Sequence, residues 1–162
     1  MEAKITIRDI TESDDRKLAS IIRTSLEDFN AVKQGTVYYD PTTDCLHSVF
    51  KREKSRYFVV MINDQIVAGA GIYPTEGLPK DTCELVKMYV SREARGNGIA
   101  TQLLRLCIDE AKKNGYSKMY LETMPELAHA IEMYKKNGFT YIPGALGNSG
   151  HSGCDLFMMK EI

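Results

Sequence analysis

Val90-Ser91-Arg92-Glu93-Ala94-Arg95-Gly96-Asn97-Gly98-Ile99-Ala100 is the stretch on which the reading of this chain turns. Before it, Cys83 to Val90 has the composition of a strand. After it, a helix from about Gly98 to Lys113 carries Leu103, Leu104, Cys107 and Ile108 on one stripe, and Asn114-Gly115 ends it. A helix that begins here presents unpaired N–H groups and the positive end of its dipole, so the turn is suited to a phosphate or pyrophosphate. Gly96 and Gly98 let the backbone approach a ligand with no Cβ in the way, and Arg95 adds a cation. Taken alone, the turn is equally well read as a glycine-rich connection with no ligand. Two nucleotide motifs fail by counting. No Gly-x-x-x-x-Gly-Lys-Ser/Thr string is present, and Thr101 stands where Gly-x-Gly-x-x-Gly needs its third glycine.

Working outward, Lys4 to Arg8 alternates as a half-buried strand. Thr11, Glu12 and Asp14-Asp15 suit a helix start, with Leu18, Ile21, Ile22 and Leu26 following at helical spacing. Asn30 to Asp40 reads as a loop, and Asp40-Pro41 opens a second helical piece with Leu46, Val49 and Phe50. Tyr57 to Ile62 and Ile66 to Tyr73 are strands about an Asn63-Asp64 turn. Gly69 and Gly71 leave one face of the second almost bare, which predicts close approach by a ligand or another backbone. Met119 to Thr123 is a strand, and Pro125 is expected to open a helix that Gly138 stops. Phe139 to Ile142 and Leu156 to Lys160 are the last strands, joined by a glycine-rich segment from Pro143 to Gly153. Short turns make the three central strands antiparallel, while the strand-helix-strand passage from Cys83 to Thr123 predicts a parallel pair with a right-handed crossover. The expected fold is an α+β layered domain, a mixed, mostly antiparallel sheet with helices on both faces.

The chain has 162 residues, 43% hydrophobic, with 21 basic side chains against 22 acidic. That length suits one domain with one core, over residues 1–162. The near-zero net charge argues against nucleic acid as a partner, and no apolar run approaches the ~20 residues that cross a bilayer. Cys45, Cys83, Cys107 and Cys154 are too dispersed for a disulfide framework or a structural zinc site. The first residues run directly into a strand pattern, so a cytoplasmic location is expected. His151 and Cys154 have His-x-x-Cys spacing, but two ligands are too few for a metal.

Arg95-Gly96-Asn97-Gly98-Ile99-Ala100 fits the Arg/Gln-x-x-Gly-x-Gly/Ala motif of the GNAT superfamily of N-acetyltransferases, and Glu84 to Val90 resembles the strand before it. A second stretch, Ala130-Ile131-Glu132-Met133-Tyr134-Lys135-Lys136-Asn137-Gly138-Phe139, is similar to the family's Ala-Ile-x-x-Tyr-x-Lys-x-Gly-Phe. The two matches are in order, and the predicted elements fit the family fold across nearly the whole chain. One departure is Leu127, where many members carry asparagine, which bears on a polar contact to the cofactor.

The resemblance implies an acyl-CoA co-substrate, most often acetyl-CoA, and no metal. Backbone N–H groups of Gly96, Asn97, Gly98, Ile99, Ala100 and Thr101 would cradle the pyrophosphate. The strand bearing Met88, Tyr89 and Val90 would splay from its parallel neighbour and leave backbone groups at Met88 and Val90 free to pair with the pantetheine arm. Lys136 is a phosphate contact on the same basis, or a solvated helix lysine. Glu84 is the base candidate, and counting by twos puts Glu84, Val86 and Met88 on one face unless a bulge intervenes; the alternative is a surface carboxylate or a partner for Lys87. Tyr134 matches the motif position that protonates the leaving sulfur, and is otherwise an amphipathic core tyrosine. The Met88 N–H is the oxyanion donor that the family pattern implies.

Tyr38, with Tyr39 and Asp40, lies in a loop that shapes the acceptor pocket in the family, although ordinary packing explains it as well. Asn148 and His151 are acceptor-site candidates because their segment is long for a connector. The implied function is transfer of an acetyl group from acetyl-CoA to a primary amine, on a small molecule or a peptide, in a ternary complex. The alternative is a non-catalytic acyl-CoA sensor. The family pattern is also compatible with a homodimer.

Overall fold

The computed structural model describes residues 2–162. Seven strands form one sheet in the order β1-β2-β3-β4-β5-β7-β6. These are β1 (Ile5–Asp9), β2 (Arg56–Ile62), β3 (Gln65–Tyr73), β4 (Thr82–Val90), β5 (Lys118–Thr123), β6 (Thr140–Ile142) and β7 (Leu156–Glu161). The helices are α1 (Asp15–Asp28), α2 (Leu46–Val49), α3 (Ile99–Lys113) and α4 (Ala128–Lys136). Among the described residues only β4 and β5 pair in parallel, and the other neighbours are antiparallel. The mixed sheet with helices on both faces is therefore as expected. No helix among the described residues is long and apolar enough to cross a membrane.

Both faces of the sheet are covered, which is why β2 reads as an unbroken apolar run rather than an alternating one. Its alternate residues go opposite ways: Tyr57 and Val59 pack with Leu18, Ile22 and Leu26 of α1 and Leu46 of α2, while Phe58 and Val60 pack with Leu103, Leu104 and Cys107 of α3. Asp40 caps the turn of Pro41–Asp44, accepting from the Thr42 N–H at 2.9 Å. The cap-plus-proline pattern specified that turn locally.

Two expectations need correction. The helix after β5 begins at Ala128, not at Pro125. Pro125 sits instead in a turn closed by the Leu127 N–H on the Met124 carbonyl (3.0 Å), and the first α4 bond runs from Ile131 to Leu127. The face left bare by Gly69 and Gly71 takes the Tyr57 ring, where a ligand or another backbone was expected, and a backbone also comes close at Gly71. A Cβ at Gly69 would lie 2.5 Å from Tyr57 Cε1, and one at Gly71 would lie 2.7 Å from Cδ2 and 2.6 Å from the Arg56 carbonyl.

Candidate acyl-transfer site

The parallel pairing of β4 with β5 runs only from Thr82 opposite Lys118 to Glu84 opposite Tyr120. Both strands continue past that point, so they part in a V and leave one side of the β4 backbone without a strand partner. A bulge widens the parting. Gly71 pairs with Val86 and Gly69 with Tyr89, so Lys87 and Met88 together oppose a single residue of β3. Lys87 takes φ +50 there, a backbone state that costs a side-chain-bearing residue energy and needs support. Tyr57 supplies it: its hydroxyl crosses β3 above the two glycines and donates to the Lys87 carbonyl at 2.8 Å. The bulge overturns the count by twos. Glu84 and Val86 share a face, but Met88 turns to the opposite one and packs against the core beneath α3.

The V opens into a cleft of about 660 Å³. One wall is the turn into α3. Gly96 and Gly98 have φ +81 and +75, and a Cβ on either would meet nothing within 4 Å, so the backbone faces open space. Gly98 is the α3 N-cap and no side chain caps the helix, so the Ile99, Ala100 and Thr101 amides have no carbonyl of their own helix to bond. A pyrophosphate fits this cradle on chemistry as well as space. Asn97 is exposed and folds its amide back onto the Ala94 carbonyl (3.2 Å).

Arg95 is at the cleft but is not a free cation aimed into it. Its Nε donates to the Val90 carbonyl (3.0 Å) and its NH2 group to Ser25 Oγ (3.1 Å), it pairs with Asp28 at 3.2 Å, and it stacks over Phe29 at 4.6 Å. The Val90 carbonyl is thus engaged, contrary to the expectation that it is left for the ligand. Arg95 ties the cradle to α1, and the attraction for a phosphate rests on backbone amides. Lys136 is exposed on the last turn of α4 and does not line the cleft.

Glu84 and Tyr134 line the same cleft from different elements. Glu84 is 4% exposed and accepts from Thr75 Oγ1 at 2.6 Å, which excludes a surface carboxylate. Burial pushes its carboxyl up to about 7, against the opposing Thr75 hydrogen bond; Glu122 adds to the rise and Lys87 opposes it. Tyr134 is 7% exposed, and burial holds its hydroxyl well above the ordinary tyrosine value, hence protonated. Leu127, Met133 and His129 line the α4 side.

Of the expected acceptor-site residues, His151 lines the cleft and its Nε2 lies 2.7 Å from Asp40 Oδ2. Burial opposes ionisation of Asp40, but hydrogen bonds from His151 and Thr42 bring its carboxyl down to about 2. Tyr38 and Asn148 do not line the cleft. Tyr38 offers its carbonyl to Arg23 (3.0 Å), and the exposed Asn148 uses its N–H to bond the Glu76 carbonyl (2.6 Å), which moors the 143–153 segment. Sequence patterns missed Lys87, Thr36 and Glu122, which also line the cleft. Glu122 binds the Tyr120 hydroxyl (2.6 Å) and Ser149. Only the odd charge of Lys87 within an apolar strand could have drawn notice to it.

A splayed parallel pair, a bulge beside it and a helix N-terminus facing the gap are the arrangement that the resemblance to the GNAT superfamily implied. The model of the Acetyltransferase (GNAT) family matches residues 18–139, and the chain belongs to that family, whose members are acetyltransferase enzymes. It is 34% identical over 157 residues to an uncharacterised N-acetyltransferase of Escherichia coli (strain K12), YjgM, covering 96% of this chain and 94% of that one. Among solved structures it resembles an acetyltransferase of the GNAT family from Staphylococcus aureus Mu50, with TM-score 0.81 and 20% identity over 98% of this chain and 99% of that one. It also resembles the PaiA N-acetyltransferase of Thermoplasma acidophilum in complex with coenzyme A, with TM-score 0.77 and 18% identity over 98% and 99% of the two chains.

Proposed function

We propose that this protein transfers an acetyl group from acetyl-CoA to a primary amine within a ternary complex. The observation that carries the proposal is Glu84, a buried carboxyl at about 7 placed where β4 and β5 part, in one cleft with Tyr134 and the Gly96–Thr101 cradle. The cradle amides hold the pyrophosphate, and the β4 edge at Met88 lies along the pantetheine arm. When bound, acetyl-CoA supplies the activated acetyl group, its thioester C–S bond being exchanged for the new C–N amide bond as CoA leaves as the free thiol.

The chain's own groups provide what that exchange demands. A free amine of pKa about 10.4 is protonated at neutral pH, and a base near 7 is matched to take its proton. Glu84 takes it, directly or through one water. The Met88 N–H donates to the developing oxyanion, the Tyr134 hydroxyl protonates the departing sulfur, and the proton shed by the new amide nitrogen restores that hydroxyl. A route through an acylated cysteine is disfavoured. Cys154 lines the cleft, but burial, then Glu122 and Glu84, push its thiol up to about 12, so almost no thiolate is present.

The test is a thiol-release assay with acetyl-CoA over a broad panel of amines. Tyr134→Phe is expected to lower kcat by roughly 10- to 100-fold, on the scale of acid–base contributions, with acetyl-CoA affinity nearly unchanged. Unchanged turnover in that variant removes Tyr134 from the mechanism. Binding of acetyl-CoA with no thiol release from any amine favours a sensor instead.

A further inference from the structure

The acceptor end of the cleft holds a cation that acetyl transfer itself does not require. Lys87 lies on the β4 bulge and lines the cleft, with its side chain 7% exposed. A lysine ammonium has three hydrogen-bond donors. The carboxylate in ion-pair range is Asp40, Nζ to Oδ2 3.9 Å, which is too long for a hydrogen bond. Asp40 is already well supplied, accepting from the Thr42 N–H at 2.9 Å and Thr42 Oγ1 at 2.7 Å and lying 2.7 Å from His151 Nε2. Glu84 is held by Thr75, and no ion pair joins it to Lys87 among the described residues.

Burying an ammonium without an acceptor is costly. Here the fold goes further, with a left-handed backbone state at Lys87 and a tyrosine latched to its carbonyl. Those features fix the Lys87 backbone at the wall of the cleft, and no acceptor among the described residues hydrogen-bonds its ammonium. An anionic group on the ligand would complete it.

We propose that Lys87 binds a carboxylate of the acceptor, so that the acceptor is an amino acid or a similarly small amine bearing a carboxylate, its amino group directed to Glu84. This assignment rests on the acetyl-transfer function proposed above. The pair of opposite charges on one strand, Glu84 and Lys87, matches the two ends of such a molecule. A polyamine would set a second ammonium against Lys87, the nearby carboxylates Glu122 and Asp40 being already engaged by Tyr120 and Ser149 and by Thr42 and His151, and a purely apolar amine would leave the lysine with only the long Asp40 pair.

The experiment compares amines that differ only in the carboxylate: free amino acids, their carboxamides and the corresponding decarboxylated amines, each with acetyl-CoA in the thiol-release assay. The acids are expected to exceed their carboxamides in kcat/KM by roughly 10- to 100-fold, the range for a hydrogen bond to a charged group. Lys87→Met should collapse that ratio mainly by raising KM for the acids, and Lys87→Arg should restore part of it. Equal or faster turnover of the carboxamides or of diamines overturns the inference while acetyl transfer stands, and so does an undiminished ratio in a folded Lys87→Met protein. If Lys87→Met does not fold, the ratio measured on the unsubstituted protein decides. If no amine of any kind releases CoA, the acetyl-transfer function itself falls, and the assignment of Lys87 with it.

Discussion

A carboxyl taken out of water ionises with difficulty, and Glu84, at about 7 against an ordinary 4.5, is poised to titrate where the protein works. As a base it must be ionised, so kcat/KM should rise with pH up to about 7 and level off above it. Glu84→Gln should remove that limb and lower kcat/KM by roughly 100-fold or more, as a pH–rate profile would show. Stability runs the other way. The folded state holds the proton more tightly than the unfolded chain does, so this contribution is complete below pH 4.5 and is lost as pH rises through about 7. The difference amounts to roughly 3 kcal/mol at pH 8. Glu84→Gln is therefore expected to raise Tm at pH 8 by about 5 °C or more, with little change at pH 4, when melting is followed at both values. A less active but more stable variant is the signature of a residue kept for chemistry.

At the scale of elements, the β4 bulge is held from one strand further away. Tyr57 belongs to β2 and reaches over β3 only because Gly69 and Gly71 present no side chains. Tyr57→Phe leaves the Lys87 carbonyl without that donor, and should cost about 1–2 kcal/mol in chemical denaturation. It should also lower turnover, because Met88 follows Lys87 in the bulge. Gly69→Ala drives a methyl to within 2.5 Å of the ring and should destabilise by about 1–3 kcal/mol, since the packed tyrosine has little room to withdraw. If both variants kept full activity and stability, the latch would have no part in shaping the site.

For the molecule as a whole, the cleft is a seam between two halves. Below the parting, β4 and β5 are bonded; above it, α1 and the 30–40 loop on one side face α4 and the 143–153 segment on the other. Loop bonds such as Gly153 N–H to the Gly35 carbonyl (2.7 Å), together with the Lys33–Glu126 pair (2.6 Å), tie the sides together. A ligand in the seam replaces missing strand pairing, so acetyl-CoA should stabilise the whole fold. At a hundred times Kd the gain is about 2.7 kcal/mol, or a Tm increase on the order of 5–10 °C for a chain of this length. Gly98→Val, which places a branched side chain in the open cradle at φ +75, should abolish the increase.

Much of this was written in local chemistry. Strand and helix periods, the Asp40-Pro41 cap, the glycines at 96 and 98 and the two ordered motifs depend on neighbours in sequence, so they are legible along the chain. Pro125 misled because a proline suits a turn as well as a first helical turn, and only the Met124–Leu127 bond distinguishes them. Arg95 misled because its partner, Asp28, is remote in sequence and nothing nearby announces the pair. The same is true of Glu84 and Lys87. A single inserted residue in β4 reverses which side chains face the cleft, and Tyr57, Gly69 and Gly71 stabilise that insertion from two other strands. The local pattern thus determined the individual strands, the helices and the glycine turn before α3, whose causes are short-range. Which charges meet in the cleft, Glu84 with a carboxyl near 7 and Lys87 without a hydrogen-bond partner, was decided only by long-range burial and packing, since desolvation depends on everything that folds over a group.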